Sequence, residues 1–179
     1  MLQILNAPHT TLSTKASFVK KVDSQILKLI GDMTKSLEAA SDPVGVGLAA
    51  PQVGKSLQLF IAKPNLKSKI FVFINPKIIT HLPIKKAREE RVRKLEGCLS
   101  LKDIWGEVER YPEIAVKYLD EKANLHNRKF TGFMATVIQH EMDHLEGVLF
   151  PKKVLEQKGK LYKSEKDKKG EDFFEEIKI

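Results

Sequence analysis

The chain has 179 residues, a length that fits one domain. With 42% apolar and 30% charged residues it can bury a core and still present a polar surface, and no run reaches the roughly 20 apolar residues of a membrane-spanning helix. Its 31 Lys and Arg against 23 Asp and Glu leave a net charge of +8, and the single cysteine, Cys98, excludes an intrachain disulfide.

The opening Met-Leu-Gln-Ile-Leu-Asn-Ala-Pro-His lacks the basic flank and apolar stretch of a signal peptide, and it is not Arg- and Ser-rich like a transit peptide. Action in the compartment of synthesis, the cytoplasm, is therefore expected. Between residues 18 and 40, apolar side chains fall at Val19, Val22, Ile26, Leu29, Ile30, Met33 and Leu37. Steps of three and four predict an amphipathic helix, which Ser41-Asp42-Pro43 ends. A Gly-rich loop, 45–54, follows. Apolar runs at 57–62, 70–74 and 77–80 are broken by Pro64-Asn65 and Asn75-Pro76 and predict strands. Residues 81–93 are basic and polar, without a clear period. Further strands are predicted at 107–110, 114–119 and 125–130, the last two joined by a turn over residues 120–124. A second helix is predicted over 132–145, with Thr131 at its N-cap and Gly147 closing it. Beyond Pro151 the chain is rich in Lys and Glu. Lys168-Lys169-Gly170 could turn a hairpin whose last strand covers 173–179; a partly disordered tail is the alternative. The order helix, strands, helix, tail predicts an α+β fold with mostly antiparallel pairing.

The strongest chemical signal is Gln139-His140-Glu141-Met142-Asp143-His144. Residues four apart share a helix face, so His140 and His144 can present ring nitrogens to one metal ion, with Glu141 handling protons for the water it binds. The competing reading is a surface helix with two incidental histidines. Met134, Val137, Ile138, Met142 and Leu145 argue against it, because they give the helix a buried face whose polar groups a metal would satisfy. A catalytic site of this kind needs a third protein ligand. The downstream carboxylates, such as Glu156 and Glu165, sit in the charged tail. Upstream, Glu96-Gly97-Cys98-Leu99-Ser100 offers the sole thiol, a strong ligand for zinc or ferrous iron. A lone cysteine is more often a small core residue, yet Gly97, Leu99 and the polar loop beside it favour a ligand.

The third segment is Gly45-Val46-Gly47-Leu48-Ala49-Ala50-Pro51-Gln52. A dinucleotide-binding reading fails, since no strand precedes it, Pro51 interrupts any helix, and no acidic residue stands about 20 positions on. A tight loop that lets a substrate backbone approach, with Gln52 as an amide donor, fits better.

Together the three segments resemble the peptide deformylase family, which carries G-φ-G-φ-A-A-x-Q (φ apolar), E-G-C-L-S and Q-H-E-x-D-H in this order; Ile74-Asn75-Pro76 also resembles a family strand end. The resemblance covers roughly residues 1–150. It implies a single catalytic domain over residues 1–179, with a variable charged tail from about 152, and antiparallel β-sheets wrapped around a central helix that carries His140 and His144. It implies Cys98, His140 and His144 as metal ligands and Glu141 as acid and base. The Gln52 side chain and the Leu99 N–H become oxyanion donors. Ferrous iron is the family's usual physiological metal, with zinc, nickel or cobalt able to replace it. The expected reaction is hydrolytic removal of the N-terminal formyl group from formyl-methionyl nascent peptides. Two positions depart from the family pattern near the expected peptide path. Leu101-Lys102 stands where an apolar residue and Pro often follow, and Lys94 stands where an apolar residue is frequent.

The remaining assignments follow from geometry and charge. The loop from Gly45 through Val46 and Gly47 to Ala50 would bound the formyl group, its Gly45–Gly47 edge would pair with the peptide backbone, and Val46, Phe133 and Val137 would line a pocket for methionine. Glu96, Arg110 and Asp143 would pair behind the ligands as support. The basic groups at 85–94 and 152–169 read either as solvated surface or as a weak, salt-sensitive dock onto ribosomal RNA. A monomer is expected. Three rivals remain at this level: a zinc endopeptidase with another third ligand, a cysteine amidase using Cys98, and a deformylase-like binding module on ribosomal RNA.

Overall fold

The computed structural model describes residues 1–65, 67–82, 94–166 and 172–178. The basic stretch 85–93 and the turn at 168–170 lie outside them. The first helix, α1 (Ser24–Ala39), begins six residues later than its apolar period suggests. Residues before it are already committed elsewhere. The Asn75 side chain accepts from the Val19 N–H at 2.8 Å and donates to the Val19 carbonyl at 2.9 Å, and Ser17 bridges to Leu57. Val19 is buried as expected, but on an extended chain. Asp23 then caps the helix, its carboxylate accepting from the Gln25 and Ile26 N–H groups.

The segment read as a Gly-rich loop contains a short strand, β1 (Gly47–Ala49), and a 3-10 turn, Ala50–Val53, with Pro51 in its first turn. β2 (Leu59–Ala62) follows. The two runs at 70–74 and 77–80 form one strand, β3 (Phe71–His81), with a register shift between Ile74 and Lys77. Asn75, at φ 52°, takes up the irregularity next to Pro76, which has no N–H to give to a ladder. β4 (Lys94–Cys98) and β5 (Leu101–Val108) form a tight hairpin where only 107–110 reads as a strand from sequence. β6 (Glu113–Leu119) and β7 (Leu125–Thr131) pair as expected, and Asp120 organises their turn by accepting from the Lys122 and Asn124 N–H groups.

The second helix, α2, spans Gly132–Leu145, and Gly147 follows it at φ 70°. Thr131 stands at the N-cap position, but its side chain makes no capping bond. A short helix, α3 (Phe150–Glu156), had no period long enough to announce it. The tail then forms β8 (Leu161–Lys166) and β9 (Asp172–Glu176), the hairpin alternative.

The fold is α+β, and among the described residues every pair of named strands is antiparallel. One sheet runs β1-β2-β3-β6-β7 and the other β4-β5-β8-β9. The inner face of the larger sheet gives Phe60, Phe73, Ile114 and Val116 to a core completed by Ala135, Val137, Ile138 and Leu145 of α2. Ile30, Met33 and Leu37 of α1 pack with Leu48, Ile61 and Ile74 in a second cluster. Beneath the smaller sheet, Phe150 and Val154 of α3 pack with Val108 and Leu161. α2 packs against β1, and β4 reaches it through the side chains of Glu96 and Cys98, which meet His140 and His144.

Candidate metal centre and active-site cleft

Helical spacing puts His140 and His144 one turn apart on α2, and both are buried. Cys98 ends β4 at the register shift of the hairpin, and its Sγ lies 3.2 Å from His144 Nε2. One donor atom from each of Cys98, His140 and His144 lies within 4.8 Å of the others, so this group could hold a metal ion. A thiolate and two imidazoles suit zinc or ferrous iron and leave a fourth position open. One atom points the same way: Glu141 Oε2 is buried with no hydrogen-bond partner among the described residues.

Arg110 organises the back of this group. Its Nε and one terminal nitrogen donate to the two oxygens of Glu96 at 2.8 and 2.9 Å, and its other terminal nitrogen donates to Asp143 Oδ2 at 2.6 Å. Glu96 Oε2 lies 3.0 Å from His140 Nδ1, which turns the other ring nitrogen towards Cys98. Burial opposes ionisation of Glu96, but Arg110 and His140 outweigh it and hold its carboxyl at about 2. Burial also works against charge on both imidazoles. Contacts with Cys98 and Glu96 reverse this for His140, whose pKa rises, whereas burial and the charge of His140 drive His144 down. Glu141 lacks such partners, and burial pushes its carboxyl up to about 7.

Gln52 sits in the 3-10 turn after β1 and is fully buried. Its Oε1 accepts from the Ala49 N–H at 2.8 Å, which fixes the amide so that Nε2 faces Cys98 Sγ at 3.5 Å and Ser100 Oγ at 3.2 Å. Gly47 lies against Glu141: a Cβ there would stand 2.7 Å from the carboxylate carbon. A side chain there would have to push the carboxylate aside.

These groups open into a cavity of about 350 Å³. Val46, Gly47, Gln52, Leu99, Phe133, Val137, Cys98, His140 and Glu141 all line it. Gly45 does not. It packs against α1, where a Cβ would fall 2.6 Å from the Leu37 carbonyl oxygen. Lys102 is exposed on β5 and is not among the lining residues, and the side chain of Lys94 lies outside the described residues. Sequence reading missed Val44, Leu95, Trp105 and Thr136 in the cavity wall. It placed Gln139 in the motif but gave it no role; its amide bonds to the backbone of Tyr111. The sole tryptophan was a visible signal, but nothing in its neighbours shows which way it faces.

Antiparallel sheets around a helix, with a buried carboxylate beside a Cys–His–His group able to hold a metal, are the equipment of a hydrolase. The polypeptide deformylase family model matches residues 1–160. The peptide deformylase of Chlorobaculum parvum is 43% identical over 155 residues, covering 84% of this chain and 78% of that protein. Peptide deformylase 1 of Bacillus cereus is 39% identical over 154 residues, covering 86% and 92%. Among solved structures, the peptide deformylase of Thermotoga maritima superposes with a TM-score of 0.76 at 34% identity, covering 86% of this chain and 97% of that one. The enzyme of Synechococcus elongatus, solved in complex with actinonin, gives 0.76 at 35% identity over 86% and 78%.

The chain belongs to the peptide deformylase family. It is an enzyme that removes the N-terminal formyl group from nascent peptides.

Proposed function

We propose that Cys98, His140 and His144 are the metal ligands of this deformylase and that Glu141 is its acid and base. The observation carrying this reading is the convergence of one sulfur and two imidazoles within 4.8 Å beside a buried carboxylate. When bound, a divalent ion there supplies a Lewis acid and lowers the pKa of a water from 15.7 towards about 7. Glu141 takes the proton of the attacking water and delivers it to the peptide nitrogen as formate departs. Gln52 Nε2 and the Leu99 N–H donate to the formyl oxygen as it gains charge. Val46, Phe133 and Val137 hold the methionine side chain. Gly47, on the free edge of β1, lets the peptide backbone add as a strand; Gly45 contributes only through the path of that edge. Arg110, with Glu96 and Asp143, keeps the His140 ring in place.

Ferrous iron is the proposed physiological ion, with zinc, nickel or cobalt as substitutes. The proposed enzyme is a cytoplasmic monomer of one catalytic domain. Among the described residues no helix is long and apolar enough to cross a membrane. The net charge of +8 supports a weak, salt-sensitive association with ribosomal RNA.

Formate release from a formyl-Met peptide by anaerobically purified protein, paired with elemental analysis, tests the reading. One ion per chain and formate release are expected, and a Cys98→Ala protein should lose both. A Cys98→Ala protein that still holds its ion tightly would remove Cys98 from the ligand set.

A further inference from the structure

β8 and β9 lie beyond residue 160, where the family match ends, and they extend the β4–β5 hairpin outward into a four-stranded sheet. Residues paired across antiparallel strands share a face, as do residues two apart on one strand. The registers Gly97↔Trp105, Trp105↔Tyr162 and Ser164↔Phe174 therefore set Trp105 and Phe174 on the same face. There the two rings meet edge to face, with centroids 5.7 Å apart and planes at 80°. From below, Gly97 makes room for the indole: a Cβ on it would lie 3.0–3.1 Å from three of the ring carbons. The ring thus rests across β4, one residue from Cys98, with Phe174 at its edge.

Trp105 belongs to the wall of the cavity that contains Cys98, His140 and Glu141, and Leu95, 40% exposed, continues that wall to the surface. An apolar shelf leading outward from the chemistry offers a surface to the residues of a peptide that follow its first. A ring held in one orientation loses less freedom on binding than a free one. Phe173, by contrast, pairs with Glu165 and faces the opposite side of the sheet.

We infer that Phe174 is a positioning residue for substrate selection. It holds the Trp105 indole as a shelf for apolar side chains in the two residues that follow formyl-methionine. A segment outside the matched family region thereby biases this enzyme towards peptides with apolar residues there. The inference rests on the deformylase reading of the cleft.

Trp105 is the only tryptophan, so its emission reports the contact directly. Phe174→Ala should shift that emission to longer wavelength and increase quenching by acrylamide. Phe174→Tyr should restore both, and Phe173→Ala should change neither. With metal-loaded enzyme, Phe174→Ala should raise KM for formyl-Met-Leu-Phe about three- to tenfold, leave kcat within about twofold, and spare formyl-Met-Ala-Ser. Unchanged emission, or an equal effect on both peptides, would overturn the inference while leaving the deformylase reading intact. A wild-type protein that releases no formate from either peptide would sink that reading and the inference with it.

Discussion

Gln139 pairs with the backbone of Tyr111 as a neighbouring strand would: its Oε1 accepts from the Tyr111 N–H at 3.0 Å and its Nε2 donates to the Tyr111 carbonyl at 2.9 Å. The same Nε2 also donates to the Ala135 carbonyl, within α2. This clamp ties the segment after β5 to α2, and Arg110 is the residue next to it. Replacing Gln139 with Leu leaves the buried clamp unmade. The expected cost is about 2–4 kcal/mol, seen as a fall in Tm of about 5–15 °C. A thermal scan of the variant beside the wild type checks this, and an unchanged Tm would remove the clamp from the account.

Arg110 joins Glu96 on β4 to Asp143 on α2, and Glu96 in turn contacts His140. Arg110→Ala frees the Glu96 carboxylate and so loosens the His140 ring. Metal affinity should fall about 10–100-fold, as is common when the partners of a ligand are removed. Competition with a chelator of known affinity measures it.

A side chain on Gly47 would overlap the carboxylate of Glu141 where it now stands. Gly47→Ala must displace the carboxylate, because β1 is held from behind by β2 through the pairs Gly47↔Ala62 and Leu48↔Ile61. A displacement near 1 Å at a reacting group costs about 100-fold in rate. The variant should keep its metal and its Tm and lose about that much kcat/KM. Full activity would mean that Glu141 tolerates a different position.

Glu141→Gln keeps the shape of the side chain and removes its ability to take a proton. Metal content should be retained, with kcat lower by about 10²–10⁴. Substantial turnover in this variant would rule out Glu141 as the proton carrier.

Asp120 gives a pH-dependent test of the fold away from the metal. Burial opposes its charge, but contacts with His126, Asn124 and Lys122 together prevail, and its carboxyl is lowered from 3.8. A group depressed in the folded state contributes stability above its unfolded pKa and loses it as pH falls. Asp120→Ala should therefore lower Tm at pH 7, and the gap to wild type should narrow as pH drops below about 4. A gap that stays constant down to pH 3 would exclude the carboxylate as its source.

What could be read in advance was local. The spacing of His140 and His144 places them on one face wherever a helix forms, and α2 matches its expected span. Cys98 stood out because no other thiol exists, and the turn at Asp120–Asn124 followed from its own side chains. The helix over 18–23 failed for the opposite reason: Val19 carries the right period, but its backbone bonds with Asn75, 56 positions away. Hydrophobic period says that a residue is buried and leaves the partner unnamed.

The amino-acid order by itself therefore determined the chemistry available: one thiol, two imidazoles a helical turn apart, a glutamate between them, and strands of antiparallel kind. Tertiary structure alone decided how these converge, because the position of Cys98 over α2, the Arg110 bridge and the Trp105–Phe174 contact all join residues distant along the chain. Such contacts depend on strand register and on the packing of whole elements, and neither is written in the neighbours of any one residue.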